Sequence, residues 1–204
     1  MTGRRLTLDD IADARAYERE REGFRARIIE LKKKRRIAVG PVVSIVFENR
    51  DTIRFQIQEM ARAERIFSDE GIQVELDTYN PLIPEPGELS ASLYIELTSR
   101  DEMERWLPRL VGIEQAVVIE ITGSGANGSG PEVVRCQVDP AHAANLTREE
   151  VTAAVHFVRF ELSPVQIESF RGGTVAVAID HPEYRERTVL SDAARDSLLE
   201  DLLG

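Results

Sequence analysis

The chain has 204 residues, 42% of them hydrophobic and 30% charged, with a formal net charge of −10; it is long enough to bury a substantial core and too apolar for disorder. No run of about 18 apolar residues occurs, which excludes a transmembrane helix, and an acidic balance of this size repels nucleic acid at long range. A lone cysteine, Cys136, rules out an internal disulfide, and residues 1–6 lack an apolar secretory core, so a cytoplasmic protein is expected.

Thr7-Leu-Asp-Asp10 opens the first helical region with a capping-box pattern, and Tyr17, Phe24, Ile28 and Leu31 mark one face of a helix running to about Lys34. Residues 1–36 carry 12 basic and 7 acidic side chains against 14 and 29 in the remainder. The basic excess sits in Lys32-Lys-Lys-Arg-Arg36, read as a solvated helix end whose cations suit the C-terminal dipole. Gly40-Pro41 is a turn, and Val42–Phe47 reads as a buried strand.

Asp51 is expected to cap a helix over Thr52–Phe67. At about 100° per residue, Ile53, Ile57, Met60 and Phe67 fall on one stripe, with Glu64 at its centre and Gln56 on its flank. Arg54, Gln58, Arg62 and Arg65 take the opposite, wet face. A second short helix follows from Ser68 or Asp69, before the breakers of Asn80-Pro-Leu-Ile-Pro-Glu-Pro-Gly87.

Leu89–Leu97 is a strand, Ser99 caps a helix ending near Leu110, and Gln115–Ile121 is a strand pairing with Val133–Val138. Ala153–Leu162 is a strand, Ser163-Pro164-x-Gln166 opens a helix to about Phe170, and Thr174–Ile179 is a strand. Ser191 caps the last helix. The expected architecture is α+β: a single domain with a mixed β-sheet, two β-α-β units, and N-terminal helices packed on it. It divides into a basic helical region (1–36), a strand plus helix pair (37–86), the β-α-β repeats (87–181) and a C-terminal helix (191–203).

An inward-facing carboxylate needs a cation, a metal or several donors, which makes Glu64 the leading candidate for chemistry. In Ala154–Glu161 alternation sends His156 and Arg159 to opposite faces of a strand covered on both sides. An Arg159–Glu64 pair would satisfy two awkward groups with one bidentate contact. His142, His156 and His181 supply every imidazole, none in a metal-ligand spacing; a mixed site of Glu64, His156 and His181 is the metal reading left open. Asp180-His181-Pro182 ends a strand, as a ligand loop or a simple turn.

Gly123-Ser-Gly125-Ala-Asn-Gly128 spells the dinucleotide fingerprint, but a Pro and a β-branched run follow where a helix must begin, so a hairpin loop is expected and no cofactor. Cys136 has no base placeable beside it and reads as an ordinary buried thiol.

Arg36-Ile-Ala-Val-Gly-Pro41, Phe47-Glu-Asn-Arg50, Gln56-Ile-Gln-Glu-Met60, Glu64-Arg-Ile66, Tyr79-Asn-Pro-Leu-Ile-Pro84, Leu110-Val-Gly-Ile-Glu114, Val155–Leu162 and Asp180-His-Pro182 together resemble an uncharacterised bacterial family, a domain of unknown function. The resemblance spans nearly the whole chain and carries no assigned activity. Genes of that family typically stand beside a rubrerythrin-like di-iron protein and a heterodisulfide-reductase-related iron–sulfur protein, which implies a role in peroxide or oxidative-stress redox systems. The expectation is a non-enzymatic accessory protein acting on those partners by protein–protein interaction. The alternative is a small-molecule or metal-dependent enzyme with a pocket around Glu64, Arg159 and His156 or His181.

Overall fold

Two four-stranded antiparallel sheets clasp one hydrophobic core in the computed structural model, which describes residues 4–123, 131–138 and 151–204. The first sheet runs β1 (Arg36–Ala38), β2 (Val43–Glu48), β3 (Glu88–Ile95), β6 (Val155–Glu161). The second runs β5 (Glu132–Arg135), β4 (Val117–Thr122), β7 (Thr174–His181), β8 (Tyr184–Val189). Every residue of β2 is buried, because the core covers one face and helices cover the other.

The α+β class is as the pattern predicts, but the single mixed sheet is corrected to two antiparallel ones. Each β-α-β unit carries the chain from one sheet to the other: β3 and β4 flank α4 (Arg100–Trp106), and β6 and β7 flank α5 (Pro164–Gly172). Hydrophobic period shows that a strand is buried, not which sheet it joins. The predicted pairing of Gln115–Ile121 with Val133–Val138 is present as β4 with β5, although β5 runs from Glu132 to Arg135.

Inward-facing Ile45, Phe47, Leu89, Leu93 and Phe160 of the first sheet meet Ile119, Ile121, Val175, Val177 and Ile179 of the second. The Phe47 and Phe160 rings lie 6.3 Å apart. Both margins are stitched. On one side Gln137 and Arg159 exchange backbone hydrogen bonds of 2.7 and 2.9 Å. On the other, the Thr188 hydroxyl donates to the Ala38 carbonyl at 2.6 Å and the Tyr184 hydroxyl to the Val39 carbonyl at 2.7 Å. Gly40 makes that second seam close: its φ is +75°, and a Cβ there would stand 2.4 Å from Glu186 Cγ.

The outer face of the first sheet carries α1 (Ala14–Arg35), α2 (Arg50–Glu64) and α3 (Asp69–Tyr79). Asp13 caps α1, accepting from the Arg15 and Ala16 amides, while the Thr7–Asp10 box closes a short 3-10 turn ahead of it. Arg35 ends α1 and is not part of a solvated basic tip. Its guanidinium is buried and donates to the Phe47 carbonyl at 2.9 Å, the Glu48 carbonyl at 3.1 Å and the Ser197 carbonyl and hydroxyl at 3.2 Å, and it pairs with Asp201 of α6 (Asp192–Leu203). Arg36 pairs with Glu96 at 2.6 Å. Of the basic run, only Arg35 is buried.

No helix among the described residues is long and apolar enough to cross a membrane. The glycine-rich Gly123–Gly128 segment, apart from Gly123, and His142 lie outside the described residues.

Candidate functional site

Glu64 is exposed, and the inward carboxylate that its helical position predicts is corrected. Asn49 rather than Asp51 caps α2, its Oδ1 accepting from the Asp51 and Thr52 amides at 3.1 and 3.0 Å. The helix ends at Glu64, with Arg65 left-handed at φ 57°. Phe67, counted on the stripe, lies beyond it and is 74% exposed. The buried face is Ile53, Ile57, Gln58 and Ala61. It is therefore turned toward Gln58, the residue assigned to water, and Glu64 lies on the exposed side of the last turn.

The answered carboxylate on this helix is Glu59. It accepts from the Tyr17 hydroxyl at 2.7 Å and from Arg21 Nε and Nη2 at 2.8 Å each. The Arg21 hydrogen bond foremost, against burial and aided by Tyr17, holds its carboxyl down at about 2. Gln58 Oε1 accepts the Ala12 amide at 2.7 Å while its Nε2 donates to the Ala12 carbonyl at 3.2 Å.

Arg159 and His156 do face opposite sides of β6, so they share no pocket. Arg159 pairs with Glu88 at 2.9 Å, not with Glu64, and donates to the Pro81 carbonyl. His156 lies inward: its Nε2 is 2.8 Å from the Thr152 hydroxyl and 2.9 Å from the Ala153 carbonyl. Its Nδ1 is 3.9 Å from Glu114 Oε2, and both atoms are buried without a hydrogen-bond partner among the described residues. Burial pushes the imidazole pKa down, with the Glu114 charge pulling the other way. Cys136 donates to the Glu114 carbonyl at 3.1 Å, and burial pushes its thiol up to about 11, so it stays protonated.

Both ring nitrogens of His181 are engaged, Nε2 lying 3.1 Å from the Val111 carbonyl and Nδ1 accepting the Glu183 amide at 3.2 Å. Asp180 and His181 are the last residues of β7, and Pro182 and Glu183 make the turn into β8. Glu64, His156 and His181 are not gathered, and no group of three or more His, Cys, Asp or Glu among the described residues is placed to hold a metal.

Two concave regions adjoin the N-terminal helices. The first is a cleft of about 510 Å³ between the N-terminal segment, α1 and the α2–α3 junction, lined by Leu8, Ile11, Ala61, Ile66, Phe67 and Ile72 among others. The Arg62–Glu18 ion pair, 2.5 Å long, lies on its wall.

The second lies between the helices and the outer face of the first sheet. Paired strand positions share a face, so the register Ser44–Tyr94, Val46–Ser92 and Glu48–Ser90, continued by Tyr94–Val155, Ser92–Phe157 and Ser90–Arg159, lays out one surface. Two hollows open on it, of about 260 and 400 Å³, with Leu82 and Phe157 common to both. Glu48, Gln56, Tyr79 and Tyr94 line the smaller, and Ser90, Gln137 and Arg159 the larger. Burial, reinforced by the Glu48 charge, raises the Tyr94 phenol pKa. Glu48 and Glu114 were not singled out from the sequence. The alternate serines of β3 could have marked the polar outer face; nothing local marks Glu114.

A search of curated proteins finds no match. The solved structures that match include a protein of unknown function from Burkholderia pseudomallei K96243, 36% identical, covering 97% of this chain and 98% of that one with a TM-score of 0.84. The family model described as "Protein of unknown function (DUF3501)" matches residues 5–202. With nearly its whole length inside that model, the chain belongs to the DUF3501 family.

Proposed function

We propose that this protein is a cytoplasmic, non-enzymatic accessory protein that docks on redox partners, with the cleft at Phe67 as its contact surface. The observation that carries the reading is Phe67 itself, 74% exposed on the edge of an apolar cleft of about 510 Å³. A phenyl ring held in water beside an apolar concavity is the arrangement from which interface anchors are built. Arg15 and Arg62 alternate with Asp13, Glu18 and Asp69 around it, a mixed rim that orients a partner more than it adds affinity. The partners are those the family resemblance implies, the rubrerythrin-like di-iron protein and the heterodisulfide-reductase-related iron–sulfur protein.

The test is co-expression of the tagged full chain with each of these two proteins, followed by capture and titration. Wild type recovers at least one of them with a Kd of about 1 μM or tighter, and Phe67→Ser weakens that binding about tenfold or more. Failure to recover either, or recovery indifferent to Phe67→Ser, overturns the reading.

A further inference from the structure

Glu48 ends β2 on the helix-covered face of the first sheet, 5% exposed, and lines the hollow of about 260 Å³. Its Oε1 accepts the Ser92 hydroxyl at 2.7 Å. The nearby arginines are engaged elsewhere: Arg35 with Asp201, Arg36 with Glu96 and Arg159 with Glu88. Arg35 does reach Glu48, but only its backbone carbonyl. Among the described residues no cation pairs with the Glu48 carboxylate, whereas Glu59 and Asp201 each hold an arginine. A carboxylate held among buried side chains without a cation is costly, and this one lines the hollow.

The walls of that space supply what a small cation needs. Tyr79 and Phe157 bring aromatic rings, as does Tyr94, one face of which carries the Arg36 guanidinium 5.5 Å from its centroid; Ile53, Leu82 and Val155 bring aliphatic surface, and Gln56 adds an amide. Aromatic faces attract an ammonium, and more so where both are desolvated. A bare divalent metal is a poor fit, because it calls for six or more oxygen ligands rather than a hydrocarbon cage. Leu82 and Phe157 also line the larger hollow of about 400 Å³, so the two lie side by side.

We propose that this hollow binds a small unbranched primary amine, its ammonium paired with Glu48 and its carbon chain lying past Leu82 toward the Arg159 compartment. Ser92 fixes the carboxylate rotamer, and Gln56 and the Tyr94 hydroxyl take the remaining ammonium hydrogens.

The experiment is calorimetric titration of the full chain with butylamine and, separately, with 1-butanol, a neutral molecule of the same size. Butylamine binds with a Kd of about 1 mM or tighter and 1-butanol at least about tenfold more weakly. Glu48→Gln removes the preference, while Glu64→Gln, at an exposed site, keeps it. Because the wild-type comparison needs no variant, it decides even if Glu48→Gln fails to fold, and tyrosine ring resonances that shift with butylamine, assigned by their loss in Tyr94→Phe or Tyr79→Leu, place the site. Equal binding of the two probes, no binding of butylamine at about 10 mM, or a preference that survives Glu48→Gln in folded protein overturns the proposal.

Discussion

Glu114 Oε2 and His156 Nδ1 face each other across 3.9 Å between the sheets, each buried and neither hydrogen-bonded to any other described residue. A carbonyl oxygen only accepts, so His156 Nε2 carries its proton toward Ala153 and the neutral ring turns a lone pair to the Glu114 carboxyl.

The first prediction concerns acid. Burial depresses the His156 pKa below its ordinary 6.5, with Glu114 opposing. The unfolded chain then takes up its proton first, so the contribution of the neutral imidazole is complete above about 6.5, falls as pH drops below that, and levels off once the folded ring also protonates. Glu114→Gln removes the opposing charge and drives the folded imidazole pKa lower still. Imidazole proton NMR titration, with urea midpoints across the same range, checks both; a His156 ring titrating at about 6.5 in both proteins contradicts the account.

A second prediction separates two carboxylates of one helix. Glu64 is exposed, so Glu64→Gln changes stability by no more than about 0.5 kcal/mol. Glu59 accepts three hydrogen bonds from Tyr17 and Arg21, and Glu59→Gln costs about 1–3 kcal/mol. Because Arg21 holds the Glu59 carboxyl down at about 2, its stabilising share is whole above the ordinary 4.5 and fades as pH falls through 2. Denaturant midpoints at neutral pH and in acid measure both effects.

What the sequence disclosed was mostly local. Ser68, Ser99, Ser163 and Ser191 each cap a helix by accepting the amide three residues on, since a cap is settled within one turn of chain. β6 was legible in its alternation, down to His156 and Arg159 on opposite faces. Glu64 was misread because a stripe extrapolated past Ala61 assumes that packing continues, and where a helix outruns its neighbours is a tertiary fact. β8 went unseen because Tyr-Arg-Glu-Arg-Thr-Val is a charged edge strand, buried only at Tyr184. Glu48 was hidden by following an unbroken apolar run, although in a strand covered on both faces the outer positions are where a pocket forms.

The third prediction tests the buried ion pair. Burial raises the Asp201 carboxyl above its usual range despite Arg35, so desolvation outweighs the attraction. Arg35→Met strands Asp201 and strips donors from the Phe47, Glu48 and Ser197 carbonyls, at a cost of about 3–5 kcal/mol. Adding Asp201→Leu recovers about 1 kcal/mol or more of that loss, because the stranded charge goes with it. Chemical denaturation of the two single variants and the double variant closes the cycle; strictly additive losses contradict it.

The fourth prediction follows from Gln58, which is 2% exposed and holds both backbone groups of Ala12. An amide that donates and accepts on one residue acts as a clasp between α2 and the segment leading into α1. Gln58→Leu keeps the volume and leaves the Ala12 amide and carbonyl unpaired, which costs about 1–3 kcal/mol. The loss is local first: the stretch from Leu6 to Asp13 opens and is cut by protease faster than the rest of the chain. Gln58→Glu keeps the acceptor for the Ala12 amide and loses the donor, so its cleavage rate falls between the two. Since the same stretch walls the Phe67 cleft through Leu8 and Ile11, Gln58→Leu also weakens partner capture while leaving butylamine binding at Glu48 unchanged, which separates the two surfaces in one variant.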